Sequence, residues 1–83
     1  MNWIVYILEC KNNFLYTGIT NNFPRRFAEH LKKGARFTRY NPPVKCLYQE
    51  VYPSRGEALS REAAIKKLSK EKKLALIEGN PMP

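Results

Sequence analysis

The chain has 83 residues, and its 15 Lys plus Arg outnumber its 7 Asp plus Glu, which gives a formal charge of +8 at pH 7. This length accommodates one domain, and an apolar content of 43% is enough for one small core. The longest strongly apolar run, residues 3–8, is too short to cross a membrane, and no signal-peptide pattern is present. We therefore predict a single domain over residues 1–83 that is soluble and cytoplasmic.

Two apolar runs predict a β-hairpin, with strands at residues 3–10 and 14–20 joined by a short polar turn. The first run is apolar on both alternating faces, which predicts a strand covered on both sides. A three-residue turn would place Tyr6 opposite Gly18, with Tyr16 diagonally beside Tyr6 and about 7–8 Å away. A turn longer or shorter by one residue would put the two tyrosines on opposite faces. We also expect Gly18 to leave open space beside Tyr6.

A helix over about residues 23–33 is predicted by Asn22, a good N-cap, and by Pro24 in its first turn. The residues expected to form its buried stripe are Phe23, Phe27 and Leu31. Arg26 and His30 border this stripe one helical turn apart, so both can face inward. The alternative is that Arg26 extends along the edge of the core into water and that His30 is a partly exposed surface residue.

The second half of the chain predicts a loop, one strand and two helices. Residues 35–43 should form the loop, because two consecutive prolines disfavour regular structure, and residues 44–52 alternate as a strand. A capping box at Ser54 predicts a helix to about residue 68, and Ser69 can cap a last helix that ends near Gly79. The predicted fold is α+β, with a small three-stranded antiparallel sheet flanked by helices in the order β-β-α-β-α-α.

The basic residues are concentrated in one segment, because residues 23–45 carry a net charge of +6 whereas residues 1–22 are neutral. This density predicts a polyanionic partner such as nucleic acid, and the alternative is a solvated basic face. The loop also interleaves arginines with aromatic residues, which suits phosphates and unstacked bases, unless the aromatic side chains simply pin the loop to the core. The predicted phosphate contacts are Arg25, Lys32, Lys33, Arg36 and Arg39.

The residue types exclude several classes of site. All seven acidic residues are glutamates, which excludes Asp-containing triads and EF-hand loops. One histidine excludes multi-histidine metal centres, and the four glycines fit no nucleotide-binding loop. Cys10 and Cys46 are too few for a structural zinc site, and we expect reduced core thiols, with a disulfide as the alternative.

Glu62 falls on the apolar stripe of the predicted longer helix, in phase with Ala58 and Ile65. An unpaired carboxylate on a buried face costs several kcal/mol, so Glu62 should meet a cation or a metal ion. Lys66, one turn later, is the structural partner, and a metal-ligand role is the alternative.

Together these residues resemble the GIY-YIG nuclease superfamily. Tyr6, in Ile4-Val5-Tyr6, matches the tyrosine that ends the first motif, and Tyr16-Thr17-Gly18 matches the second motif. Arg26 follows Tyr16 at the spacing of the family's arginine, His30 stands where members carry His or Tyr, and Glu62 matches the metal-binding glutamate. The resemblance covers residues 3 to about 78 and is strongest to small standalone bacterial members. It extends more distantly to the nuclease module of the excision-repair endonuclease UvrC.

The chain departs from the family pattern at two places. Ile4 and Val5 replace the Gly-Ile of the first motif, which we expect to be tolerated because the tyrosine carries the chemistry. Many members have an asparagine beyond the glutamate, where this chain has Leu74, and Asn80 lies too late to replace it. A substrate-positioning role for that asparagine is therefore not predicted here.

The resemblance implies a DNA endonuclease that hydrolyses phosphodiester bonds with one divalent ion, Mg²⁺ or Mn²⁺, on duplex or branched DNA in repair or recombination. It implies that Tyr16 is the general base, Tyr6 orients water or phosphate, and Arg26 stabilises the transition state. His30 would hydrogen-bond Tyr16 or the phosphate, and Glu62 would hold the metal. A free tyrosine, with a pKa of about 10, is only ~0.1% ionised at pH 7, so such a base needs nearby cations.

Two other classes of function remain open from the residues. One is a non-catalytic nucleic-acid-binding module that keeps the fold, and the other is an interaction protein whose basic face meets an acidic partner. The presence of all five site residues in one chain favours the enzyme, because a binding module needs neither both tyrosines nor Glu62. We also expect a protein partner or a homodimer to direct such a short chain to its substrate.

Overall fold

A computed structural model describes residues 2–32 and 41–79 of the chain. Its strands are β1 (Trp3–Cys10), β2 (Leu15–Thr20) and β3 (Pro43–Tyr52), and its α-helices are α1 (Phe23–Leu31), α2 (Arg55–Lys66) and α3 (Lys70–Gly79). The predicted α+β fold and its β-β-α-β-α-α order are confirmed. None of these three helices is both long enough and apolar enough to cross a membrane.

The turn between β1 and β2 sets the register of the hairpin. Residues 11–13 form a short 3₁₀ turn in which Asn12 and Asn13 have positive φ values of 64° and 63°. Asparagine tolerates this left-handed conformation better than most residues, so both positions suit the turn. The predicted register is confirmed, because Tyr6 pairs with Gly18 and Leu8 pairs with the residue at position 16.

β1 is the central strand of an antiparallel sheet with the order β2-β1-β3. One face of β1 packs Val5 and Ile7 with Ala58 and Ile65 of α2. The opposite face buries Tyr6, Leu8 and Cys10 and is covered by Phe23 and Phe27 of α1. The prediction that this strand is covered on both sides is therefore confirmed, and the sheet separates two small clusters.

The helix starts are confirmed, whereas α1 and α2 each end two residues before the predicted end. The Asn22 side chain accepts a hydrogen bond from the Arg25 backbone N at 3.2 Å, as an N-cap does. The helix ends at Leu31, two residues before the predicted end, and Leu31 is 52% exposed rather than buried. The buried arc instead includes His30, because the last turn of α1 presents that residue to the sheet.

Two further expectations about the second half are settled. Ser54 and Ser69 accept hydrogen bonds from backbone N atoms of the first turns of α2 and α3, which confirms both caps. Pro43 begins β3 instead of ending the loop, since a strand tolerates proline at its first residue. Cys10 and Cys46 are both free thiols, as expected.

Candidate active site

Tyr6 is the centre of the site and is 1% exposed. Its ring lies directly over Gly18 of the neighbouring strand. A Cβ at Gly18 would stand 2.6 Å from the Tyr6 hydroxyl oxygen. The open space that we expected beside Tyr6 is therefore filled by the Tyr6 ring itself, and only glycine permits this close approach.

His30 reaches the site from α1 and is completely buried, so the alternative of a surface histidine is wrong. Its Nε2 lies 3.0 Å from the Tyr6 hydroxyl oxygen. Burial, and then the Arg26 charge, lower the pKa of His30 below its ordinary value of 6.5, which keeps the ring neutral at pH 7. Arg26 also hydrogen-bonds the Tyr6 hydroxyl and can only donate. The Tyr6 hydroxyl can accept from Arg26 and still either donate to or accept from His30 Nε2, so the direction of this bond follows the tautomer of the ring.

Tyr16 completes an aromatic cluster with these two residues. Its ring centroid lies 6.3 Å from that of Tyr6 and 5.1 Å from that of His30, and Tyr16 is half-buried where Tyr6 is buried. The two tyrosines thus share one face of the hairpin, as predicted. Their different exposure gives them different access to a substrate.

The electrostatics of the site act mainly on Tyr6. Burial is the largest cause that raises the pKa of Tyr6 to about 12, and the Tyr16 and Glu62 charges add to it, while Arg26 opposes it. Tyr6 is therefore a neutral hydroxyl at pH 7, which can donate a hydrogen bond but does not act as a base. Arg26 is partly exposed, and its guanidinium also pairs with Glu29 at 3.2 Å, one turn along α1. The i,i+3 spacing of this pair is visible in the sequence, although we did not predict it.

Glu62 of α2 lies close enough to the cluster for its charge to act on the Tyr6 hydroxyl. Its side chain is 17% exposed, and the carboxylate pairs with Lys66 Nζ at 3.5 Å. The predicted structural partner is thus present. Within residues 2–32 and 41–79, no group of three or more His, Cys or Glu side chains is arranged to hold a metal ion. A metal held at Glu62 would therefore take most of its other ligands from water and substrate.

The predicted phosphate contacts are only partly covered by the structure. Arg25 is exposed on α1, the helix that also carries Arg26 and His30, and Lys32 is exposed at the C-terminal end of the same helix. Three other predicted contacts, Lys33, Arg36 and Arg39, lie outside the described residues. Leu74, which stands where many family members have asparagine, is 39% exposed on α3.

A polar network centred on Glu50, which was not predicted from the sequence, holds α2 against the sheet. Arg61 donates two hydrogen bonds to the Glu50 carboxylate of β3, at 2.9 and 3.1 Å. The hydroxyls of Tyr48 and Tyr52 donate to the same carboxylate. Because Arg61 immediately precedes Glu62, its two hydrogen bonds to Glu50 fix the rotation of α2 about its axis at the position of Glu62. The alternation of Tyr48, Glu50 and Tyr52 on one strand face is the signal that could have revealed it.

Comparison with known proteins settles the family. A family model described as the GIY-YIG catalytic domain matches residues 2–75. The chain belongs to the GIY-YIG family. A UPF0213 protein from Xanthomonas axonopodis pv. citri is 46% identical over 80 residues, covering 95% of this chain and 78% of that protein. A UPF0213 protein from Clostridium perfringens is 50% identical over 80 residues, covering 95% and 85% of the two chains.

Solved structures carry the same GIY-YIG fold. The solution NMR structure of a UPF0213 protein from Bacillus halodurans matches with a TM-score of 0.65 and 40% identity, covering all of this chain and 89% of that one. A second NMR structure, of a protein from E. faecalis, matches with a TM-score of 0.62 and 32% identity over 92% and 83% of the two chains. The names of these relatives state no activity, so the family and the fold are shared while the reaction has to be argued from the site.

Proposed function

We propose that this GIY-YIG protein is a cytoplasmic, metal-dependent DNA endonuclease that hydrolyses phosphodiester bonds in repair or recombination. The observation that carries the proposal is the convergence of Tyr6, Tyr16, Arg26 and His30 on one face of the hairpin, with the Glu62 charge acting on the same tyrosine. These residues come from four different elements. A binding surface alone requires no such grouping of a buried hydroxyl and a guanidinium within reach of a carboxylate charge.

The two tyrosines take different roles in this proposal. Tyr6 is buried, has a pKa of about 12 and is already hydrogen-bonded to His30, so it positions other groups and takes no proton. Tyr16 is half-buried beside it and is the tyrosine that a water and a phosphate could approach. In this proposal Tyr16 reacts as its phenolate, which the nearby Arg26 guanidinium would stabilise, and it accepts the proton of the attacking water. Arg26, which is partly exposed, would also donate hydrogen bonds to the phosphate oxygens in the transition state.

Glu62 is the residue that would hold the metal ion. Mg²⁺ prefers oxygen ligands, keeps several waters and is commonly bound through one or two carboxylates, so a single glutamate fits this ion or Mn²⁺. The Lys66 ammonium would have to give up its contact with Glu62, at 3.5 Å, when an ion binds. A metal bound there supplies positive charge next to the scissile phosphate and the leaving oxygen.

Arg25 and Lys32 would contact flanking phosphates of the DNA, together with the predicted contacts outside the described residues. If about four phosphates are contacted, the logarithm of the affinity for duplex DNA falls with log salt at a slope near −3.6. A protein partner or a second copy of the chain would add the targeting that one small domain lacks.

The test is nicking of supercoiled and branched DNA with Mg²⁺ or with EDTA. Tyr16→Phe should lower the cleavage rate about 10²- to 10⁴-fold, because it removes the general base. The control is the far-UV circular dichroism spectrum and the DNA affinity of the same variant, which should match those of wild type because only one hydroxyl is removed. Glu62→Gln should abolish the Mg²⁺-dependent rate, whereas Glu71→Gln, exposed on α3, should not.

The variants also separate the enzyme from a non-catalytic binding module. The Glu62–Lys66 pair gives the glutamate a purely structural partner, which is what a binding module would need. If wild type, Tyr16→Phe and Glu62→Gln all show the same background cleavage while DNA binding is intact, the nuclease assignment is wrong.

A further inference from the structure

A cleft of about 290 Å³ lies outside the proposed active site, between the hairpin turn and the start of α3. Its lining residues are Asn12, Asn13, Phe14, Leu15, Lys70 and Lys73. The cleft thus combines two ammonium groups with one aromatic ring. Its volume is near the lower end of that of small-ligand sites, which suits one planar group rather than a larger ligand.

Phe14 is the unusual residue of this cleft. Its side chain is 49% exposed, and it is the only aromatic residue among the large exposed hydrophobic side chains of residues 2–32 and 41–79. An exposed aromatic ring beside cations is the arrangement that proteins use to stack an unpaired base and to hold its phosphate.

The cleft is formed by contacts within the protein. Lys70 Nζ donates a hydrogen bond to the backbone oxygen of Asn13, which joins α3 to the turn. The Cys10 backbone N donates to the Phe14 oxygen at 2.8 Å, which closes the turn in front of the ring. Phe14 and the two lysines are therefore already juxtaposed, and a ligand need not order them.

The charge of this region also favours an anion. Residues 66–73 contain five lysines and one glutamate, so their net charge is +4, although the whole segment 46–83 carries only +2. The active-site proposal uses none of the lysines that line the cleft. A polyanion is the partner that such a local excess attracts.

We propose that this cleft binds one unpaired nucleotide of the DNA substrate, with its base stacked on Phe14 and a phosphate paired with Lys70 and Lys73. The proposal rests on the DNA binding proposed above but not on cleavage. Phe14 precedes Tyr16 by two residues of extended chain, which spans about 7 Å. The substrate class is accordingly DNA that contains an unpaired base, as at a flap, a branch or a gap.

The experiment measures binding by fluorescence anisotropy in EDTA, which prevents cleavage. The probes are a short single-stranded deoxyoligonucleotide that contains 2-aminopurine and the same sequence as a blunt duplex. Phe14→Ala should weaken single-strand binding about 5- to 150-fold, the contribution of one stacked base, and should change duplex binding less than twofold. Phe14→Trp should keep the single-strand affinity and the quenching of 2-aminopurine, which shows that the ring and not the fold is responsible.

The lysines are tested through the salt dependence of single-strand binding. The double variant Lys70→Gln and Lys73→Gln should reduce the slope by about 0.7, since the contact with one phosphate is lost. The control is Lys67→Gln with Lys72→Gln, which removes the same charge from exposed positions that do not line the cleft. An equal reduction in slope by the control overturns the proposal.

Phe14→Ala and Tyr16→Phe together separate a failure of the proposed nucleotide cleft from a failure of the proposed nuclease function. If Phe14→Ala weakens single-strand and duplex binding equally, or changes neither affinity, the proposed nucleotide cleft is wrong, even when Mg²⁺-dependent nicking persists. If the selective loss is observed while Tyr16→Phe cleaves like wild type, the cleft stands and the nuclease mechanism fails.

Discussion

Gly18→Ala tests whether the close approach of Tyr6 to the neighbouring strand holds the site together. The added Cβ would lie 2.6 Å from the Tyr6 hydroxyl oxygen, 2.7 Å from Tyr6 Cζ and 3.1 Å from Tyr16 Cε1. Gly18 does not have a positive φ, so the effect of alanine is steric and not conformational. Because Tyr6 is 1% exposed, its ring cannot simply swing into solvent.

The expected cost has two parts. Overpacking a core commonly costs about 1–3 kcal/mol, and moving the Tyr6 hydroxyl breaks its bond to His30, which costs about 1–3 kcal/mol when the groups stay buried. Lower entropy of the unfolded chain offsets about 0.4–1 kcal/mol. We therefore expect Gly18→Ala to lower the free energy of unfolding by about 2–4 kcal/mol, which corresponds to a fall in Tm of roughly 10–25 °C for a domain of this size.

The assay is urea unfolding followed by far-UV circular dichroism. Gly56→Ala is the matched control, because no atom lies within 4 Å of the position of its Cβ and it is in a helix. It should raise the free energy of unfolding by about 0.5–1 kcal/mol. In a Tyr6→Phe background, Gly18→Ala should cost at least about 1 kcal/mol less than in wild type, since the hydrogen bond is already gone. A Gly18→Ala protein within about 0.5 kcal/mol of wild type would refute this account of the site.

Two further predictions concern titrating groups. His30 is the only histidine, so one imidazole C2–H signal in the NMR spectrum reports its pKa. Burial, and then the Arg26 charge, lower this pKa, so we expect the midpoint of the titration below pH 6.5. A midpoint at or above pH 6.5 would contradict the neutral, buried ring. Burial opposes the shift of Glu50, but hydrogen bonds from Arg61, Tyr48 and Tyr52 hold the pKa of its carboxyl below 4.5. The contribution of Glu50 is therefore present above pH 4.5 and is lost as pH falls through the lower, folded pKa. Arg61→Gln should accordingly cost about 1–2 kcal/mol at pH 7, after allowance for the partial exposure of Arg61, and progressively less as the pH falls through the folded pKa of Glu50. A cost that stays constant in urea unfolding down to a pH at which Glu50 is protonated would rule out the ion pair.

Much of the fold could be predicted because its determinants are local. Alternating apolar residues identified the strands, and side chains that cap helices identified the three helix starts. The register that places Tyr6 and Tyr16 on one face followed from the length of a three-residue turn, and the structure has that register. The family motif also depends on these short spacings, which is why the family could be predicted from the residues and was then confirmed by comparison.

The predictions of burial were wrong where burial depends on which part of the sheet a helix packs against. Periodicity made Leu31 part of the buried stripe and left His30 at its border, but the sheet buries His30 and leaves Leu31 exposed. The end of α1 was misplaced because no strong stop signal precedes residue 33 in the sequence. Gly18 was expected to leave a gap, and the ring of its cross-strand partner fills it.

The sequence by itself therefore determined the strand and helix order, the hairpin register and the residue types available for chemistry, because each depends on neighbours a few positions apart. Only the tertiary structure decided the bond between Tyr6 and His30, the action of the Glu62 charge on Tyr6, and the fork from Arg61 to Glu50. These contacts join residues 11–56 positions apart. Their formation depends on how two helices pack against opposite faces of one sheet, and no local spacing encodes that.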